Sequence, residues 1–300
     1  MTEPVITVAG LHKAYGHNHA LRGLNLEVRA GEVFGFLGPN GAGKTTTIRI
    51  LLDLIRADTG TASVLGLDPH REGVALRRRI GYLEGDFLVD GRQTARELLT
   101  YLGNLRGGVP GATIDGWAER LGLDMHARIK TLSKGNRQKV GLIQAFMHEP
   151  ELLILDEPTS GLDPLLQQEF TVMARQVAAE GRTVFMSSHV MGEVQRTSDR
   201  VGLIRDGALV AEQSVESLRA SSVRRVEIEF ASPVTREEFA RLPGVSGVSI
   251  DGSVLRCRLD GPADALVKAA AAHTVVSITS EEPDLEDVFL ERYSAQGETS

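Results

Sequence analysis

V-F-G-F-L-G-P-N-G-A-G-K-T-T, residues 33–46, decides the fold. Val33, Phe34, Phe36 and Leu37 form a short apolar run after a turn at Gly31, which predicts a buried strand leading into a glycine loop. Gly38 to Thr45 satisfies G-x-x-x-x-G-K-[ST] at every position. Ile48, Leu51, Leu52 and Ile55 follow at helical spacing and predict a helix over 46–54. Strand, glycine loop and helix in this order form a phosphate-binding unit. The glycines let successive N–H groups curl toward β- and γ-phosphates, and the helix N-terminus adds partial positive charge. Gly38, Pro39, Asn40, Gly41, Ala42, Gly43, Lys44, Thr45 and Thr46 are therefore expected to hold a nucleotide. Lys44 would reach the β/γ oxygens, and the Thr45 hydroxyl would sit on Mg²⁺. The plainer alternative, a glycine-rich turn before an ordinary helix, leaves the agreement of all three parts unexplained.

A second apolar run, Leu152 to Leu155, has the composition of a parallel strand buried on both faces. Asp156 and Glu157 stand at its carboxyl end, where open α/β sheets bind ligands. Asp156 is the candidate for holding Mg²⁺ through water. Glu157 is the candidate for orienting and polarising an attacking water, since phosphoryl transfer depends on positioning and charge compensation. Thr183 to Met186 predicts a further strand ending in Ser187-Ser188-His189, which aims His189 at the same crevice as a γ-phosphate contact. One helix upstream of the acidic strand lies L-S-K-G-N, residues 132–136. This turn reads as a contact to nucleotide held by a second copy of the chain, through Ser133, Gly135 and Asn136.

With these motifs in order, nearly the first 220 residues resemble the nucleotide-binding subunit of an ABC transporter. The resemblance rests on the phosphate loop, the Leu132–Asn136 turn, the Leu152–Glu157 strand, the Ser160–Asp163 turn and His189. Lys13-Ala14-Tyr15-Gly16 matches the family's adenine-stacking segment, which makes Tyr15 the candidate base platform; the alternative is an aromatic packed on a sheet. Two departures stand out. The signature turn usually reads L-S-G-G-Q, and here Lys134 and Asn136 replace Gly and Gln. Lys134 either adds positive charge near the γ-phosphate or faces solvent. The family's Gln after I-G-Y-x-P falls on Gly85, so either Glu84 or Asp86 would have to serve in its place.

The chain has 300 residues, one phosphate loop and 42% hydrophobic residues, with no apolar run long enough to span a bilayer. M-T-E-P-V-I-T-V lacks the charged and apolar regions of a secretion signal, so none is expected. One cysteine cannot form an internal disulfide, which fits a reducing compartment. Cys257 alternates with Arg256 and Arg258 and is expected in a small core. The net charge is −7, and residues 221–300 carry 14 Asp/Glu against 8 Lys/Arg. An acidic appendage disfavours nucleic acid and anionic lipid as partners.

Residues 1–36 read as strands, and 84–150 as mainly helical, with Ala95–Leu105 and Ile114–Leu121 at helical spacing and Trp117 packed among them. From 221 onward the order is strand, helix, hairpin turning at Asp251-Gly252, helix, strand: a ferredoxin-like βαββαβ pattern. Thr235 and Glu238 stand at capping-box spacing. A last helix is predicted over 285–292. The tail S-E-E-P-D-L-E-D-V-F-L-E-R-Y and the Ser133-Lys134-Gly135 signature resemble the ATPases of daunorubicin-resistance-type exporters, which pair with a separately encoded permease.

The expected fold is α/β: a P-loop NTPase core of the ABC ATPase type over residues 1–220, with antiparallel and helical subdomains (the latter about 84–150). A small ferredoxin-like α+β domain follows over 221–300. The resemblance implies an ATPase that closes as a homodimer on ATP and Mg²⁺ and drives export through an integral membrane permease. Residues 84–105 would be the docking surface, and the place of work the cytoplasmic face of the cell membrane. A soluble ATP-driven switch or assembly scaffold is the alternative. A GTPase is disfavoured, since no N-K-x-D motif occurs.

Overall fold

The computed structural model describes residues 4–85, 87, 91–220 and 223–281. Contacts divide the chain into two compact units, 1–213 and 214–300, whereas the sequence boundary was expected at 220.

The first unit begins with a long antiparallel pair, β1 (Pro4–Tyr15) and β2 (Asn18–Arg29), joined by only Gly16-His17. Then come β3 (Val33–Leu37), α1 (Lys44–Leu51), β4 (Thr59–Val64), α2 (Gly73–Arg78) and β5 (Ile80–Leu83). The helical part holds α3 (Ala95–Leu105), α4 (Gly111–Arg120) and α5 (Lys134–Phe146). Strand and helix then alternate through β6 (Leu152–Asp156), α6 (Pro164–Ala179), β7 (Thr183–Ser188), α7 (Met191–Thr197), β8 (Arg200–Arg205) and β9 (Ala208–Ser214). Helix α1 starts two residues earlier than expected and stops at Leu51. Asp53 then takes a left-handed backbone (φ 54°), which ends the helix and leaves Leu54 exposed.

Two sheets result. β2-β1-β4 is antiparallel, and the larger sheet runs β5-β6-β7-β3-β8-β9. Its centre is parallel, β6–β7–β3 and β3–β8, so the carboxyl ends of the apolar runs emerge side by side. Leu152 to Leu155 are fully buried, as a strand covered on both faces requires. Phe185 stacks on Phe34 with ring centroids 5.9 Å apart and tilts against Phe36 at 5.4 Å, filling the layer between strands and helices. Under the helical part, Leu98, Leu99, Ile114 and Phe146 form a continuous core, and Trp117 packs on Phe146 at 5.6 Å. Helix α3 is set by a true capping box between Thr94 and Glu97 that the sequence reading missed.

The second unit holds α8 (Val215–Ala220), β10 (Arg224–Phe230), α9 (Arg236–Ala240), β11 (Val245–Asp251), β12 (Val254–Leu259), α10 (Asp264–Ala270) and β13 (Val275–Glu281). Its sheet order is β11-β12-β10-β13, antiparallel throughout. Val226, Ile228, Phe230, Leu255 and Cys257 make the core against Phe239 and Leu266, while Arg256 and Arg258 are exposed. The expected capping box at Thr235 does not form. The Thr235 hydroxyl instead donates to the Glu238 carboxylate at 2.7 Å, and α9 is only 236–240. Asp86 and the helix expected over 285–292 lie outside the described residues.

Candidate active site

The glycine loop leaves β3 and enters α1 as a tight cradle. A side chain at Gly38 would strike the Ile204 carbonyl at 2.4 Å. Gly43, with φ 113°, lies where a Cβ would come within 2.7 Å of the Ala20 carbonyl. Only glycine lets the backbone pass here, and that fixes the loop against its neighbouring strands. Lys44 is buried: its ammonium donates to Gly38 O at 2.6 Å and Pro39 O at 3.3 Å, and lies 3.4 Å from Glu157 Oε1.

The parallel register sets Asp156 opposite Ser187 on the adjacent strand. Asp156 Oδ2 accepts the Thr45 hydroxyl at 2.8 Å, and the Ser187 hydroxyl donates to its other oxygen. Ser187 also accepts the Glu157 amide at 3.0 Å. Glu157 has a left-handed backbone, φ 49°, which turns its carboxylate out of the strand line. That carboxylate lies between Lys44 on one oxygen and His189 Nδ1, 2.8 Å from the other. Lys44, Thr45, Asp156, Glu157 and His189 thus form one hydrogen-bonded and ionic chain across the carboxyl ends of β3, β6 and β7. Ser187 belongs to it although the sequence reading gave it no role; aligning the ends of the two apolar runs would have found it.

The signature turn is organised separately. Ser133 caps α5 by accepting the Asn136 amide at 3.2 Å, leaving the first-turn donors of that helix at its exposed end. Gly135 sits where a side chain would meet the Gly161 carbonyl at 2.8 Å. Lys134, exposed, reaches the Ser160 hydroxyl at 3.2 Å. Gln138 is buried and donates to Pro158 O at 3.0 Å, tying α5 to the turn after the acidic pair. It is a second participant that the sequence reading missed, marked only by a polar residue in an apolar helix face.

Tyr15 ends β1 half exposed, with the Lys13 ammonium 5.5 Å from its ring centroid. Lys13 also pairs with Asp58 at 2.8 Å, and hydrogen bonds from Lys13 and the Ala14 amide hold the Asp58 carboxyl below its usual range. Glu84 lies 3.6 Å from Arg49. Gly85 lies directly against Asp156, which a Cβ there would meet at 3.5 Å.

The site also fits a small hard cation. Thr45 and Asp156 offer adjacent oxygen donors beside the phosphate cradle, and Mg²⁺ is ordinarily held by one or two protein oxygens, water and phosphate. Among the described residues, no three His, Cys, Asp or Glu side chains gather into a cage of their own.

A nucleotide cradle at the N-terminus of α1, with an acidic pair at the carboxyl end of β6 in the same parallel sheet, defines a P-loop ATPase. Residues 21–160 match the family model described as ABC transporter. The daunorubicin/doxorubicin resistance ATP-binding protein DrrA of Streptomyces peucetius is 36% identical over 310 residues, covering 96% of this chain and 93% of that protein. The Nod factor export ATP-binding protein I of Paraburkholderia xenovorans (strain LB400) is 34% identical over 300 residues, covering 97% of each. A solved structure of an ATP-binding subunit of an ABC transporter superposes with a TM-score of 0.66 at 26% identity, over 72% of this chain and 92% of the other. The chain belongs to the ATP-binding proteins of ABC transporters, and it is an ATP-hydrolysing enzyme.

Proposed function

We propose that the chain powers export of a drug-like or lipophilic compound through a separate integral membrane permease. Two copies close head to tail on two ATP molecules, and reopening after hydrolysis drives the permease. The chain works on the inner face of the membrane, against its permease; among the described residues no helix is long and apolar enough to cross a membrane. The similarity to two export ATP-binding proteins, which runs through the second unit as well, supports export over import. The second unit serves as an accessory module outside the chemistry.

One observation carries the catalytic reading: the Glu157 carboxylate is held between Lys44 and His189 at the mouth of the phosphate cradle. Lys44 and the loop amides bind the β- and γ-phosphates, and Tyr15 stacks on the adenine. Thr45 and Asp156 would hold Mg²⁺, which would supply neutralisation of phosphate charge. Glu157 accepts a proton from the attacking water, with His189 fixing the carboxylate's orientation and facing the γ-phosphate. The exposed N-terminus of α5, with Ser133, Gly135 and Asn136, supplies donors to the γ-phosphate held by the other copy.

Glu157→Gln tests this. The amide still hydrogen-bonds water but takes no proton, so turnover should fall by about 10²- to 10⁴-fold while a dimer persists in ATP–Mg²⁺. Wild-type turnover, or a variant that never dimerises, would refute it. Purification from membranes should recover a multi-span partner. A chain that copurifies only with soluble proteins would favour the switch or scaffold reading.

A further inference from the structure

His189 serves Glu157 only while its ring points one way, and close packing does not set that direction. Its side chain is 51% exposed, yet Nδ1 stands 2.8 Å from the Glu157 carboxylate. A half-exposed ring follows the backbone that carries it. That backbone is pinned on both sides by one hydroxyl. Ser188, fully buried, precedes His189, and its Oγ accepts the amide of Val190, the residue that follows, at 3.0 Å. A hydroxyl has one proton to give. Two acceptors lie within its reach, Glu193 Oε2 at 2.8 Å and Val190 O at 3.4 Å. The carboxylate is both nearer and charged, so it takes the proton. The lone pairs of Oγ are then left for the Val190 amide, and the turn around His189 is fixed.

Glu193 has a rigid footing. It lies in the first turn of α7, its amide donates to Val190 O at 3.2 Å, and Met191 and Val194 of the same helix are buried. Val194 packs over Gly35 so closely that a Cβ there would meet it at 2.3 Å. Gly35 belongs to β3, the strand that runs into the phosphate loop. The carbonyl of Ser188 also accepts the amide of Gly38, the first residue of that loop, at 3.2 Å. The His189 turn and the phosphate cradle therefore share one anchor.

We propose that Glu193 is a positioning residue for hydrolysis: through the Ser188 hydroxyl, its carboxylate holds the turn that keeps His189 on Glu157. This rests on the roles given above to His189 and Glu157. Without Glu193 the Ser188 proton turns to Val190 O, the shared turn loosens, and the ring leaves the Glu157 carboxylate. A role confined to securing the start of α7 would act on stability alone and would not depend on His189.

The test is a double-mutant cycle on the full chain, with Glu193→Ala and His189→Ala made alone and together and ATP hydrolysis followed in Mg²⁺. Glu193→Ala should lower kcat about tenfold and leave KM for ATP within about twofold. In the His189→Ala background the same change should cost less than about twofold. Glu193→Gln, whose amide oxygen accepts the Ser188 proton in the same way, should restore kcat to within about threefold of wild type. If Glu193→Ala does not fold, Glu193→Met keeps the stem without a strong acceptor and takes its place in the cycle. A loss at 193 that is undiminished without His189, or a Gln variant as slow as Ala, overturns the proposal and leaves His189 its role. Wild-type turnover in His189→Ala would remove that role, and the function of Glu193 with it.

Discussion

The Ser187 hydroxyl donates to Asp156 Oδ1 at 2.5 Å across two parallel strands. Ser187 Oγ in turn accepts the amide of Glu157, so one side chain fixes both acids. Ser187→Ala would leave the Asp156 carboxylate held by Thr45 alone and a part-buried amide unpaired. Turnover should drop by about 10- to 100-fold, with a higher Mg²⁺ concentration needed for half-maximal rate. A Mg²⁺ titration of purified protein decides it; an unshifted midpoint would mean that Ser187 supports the strand and not the site.

Ser133 caps its own helix and, in the proposed dimer, faces the other copy's nucleotide. Ser133→Arg should therefore abolish ATP-driven dimerisation in light scattering, while nucleotide affinity of the monomer stays within about twofold. Ser133→Ala controls for the lost cap, worth about 1 kcal/mol of stability. A monomer that no longer binds ATP would place Ser133 in its own chain's site.

Lys134 stands where the family usually has glycine, and it is tied to Ser160 at 3.2 Å. The charge proposed from the sequence is directed at a neighbouring turn of the same chain. Lys134→Gly removes one exposed hydrogen bond and a packed stem, so turnover should fall by about two- to fivefold with ATP affinity unchanged. Lys134→Met keeps the stem and should fall between the two. Equal rates for all three proteins would show that the link has no role in turnover.

His148 and Arg106 both reach the Ile80 carbonyl, at 3.2 and 3.1 Å. Burial, and then the Arg106 charge, hold the His148 pKa down to about 4. Above its ordinary value of about 6.5 the ring is neutral in both folded and unfolded chains, and its contribution is fully present. As pH falls from there toward about 4, the unfolded chain takes up a proton that the native chain refuses, and stability is lost. His148→Leu leaves Ile80 O bonded to Arg106, so its Tm should decline less over this window. Parallel Tm–pH curves for the two proteins would contradict the assignment.

The parts legible in the sequence are those where local pattern and tertiary role coincide. The apolar runs at 33–37 and 152–155 could only be buried strands, and Gly38 to Thr45 could hardly be another loop. Ser187 was hidden because its role depends on register between strands 31 residues apart, which no local period encodes. Gln138 was hidden for the same reason, since its partners lie on a turn that follows a different strand. Helix ends were misjudged where backbone conformation overrode apolar spacing, as at Asp53. The pairing at Thr235 missed because the hydroxyl found a carboxylate before a backbone amide. Gly85 could be placed beside Asp156 only by the fold; of the two acids offered in place of the family's Gln, Glu84 lies beside Arg49 and Asp86 is outside the described residues.

Glu157 holds a backbone conformation, φ 49°, that glycine or asparagine adopts more cheaply than glutamate. Strain of this kind costs about 1–3 kcal/mol. A library of this chain screened for heat resistance alone would therefore gain by replacing the very residue assigned to hydrolysis, and its hardiest survivors would bind ATP without spending it. Thermostabilisation of this protein should hold position 157 fixed and score every round on turnover.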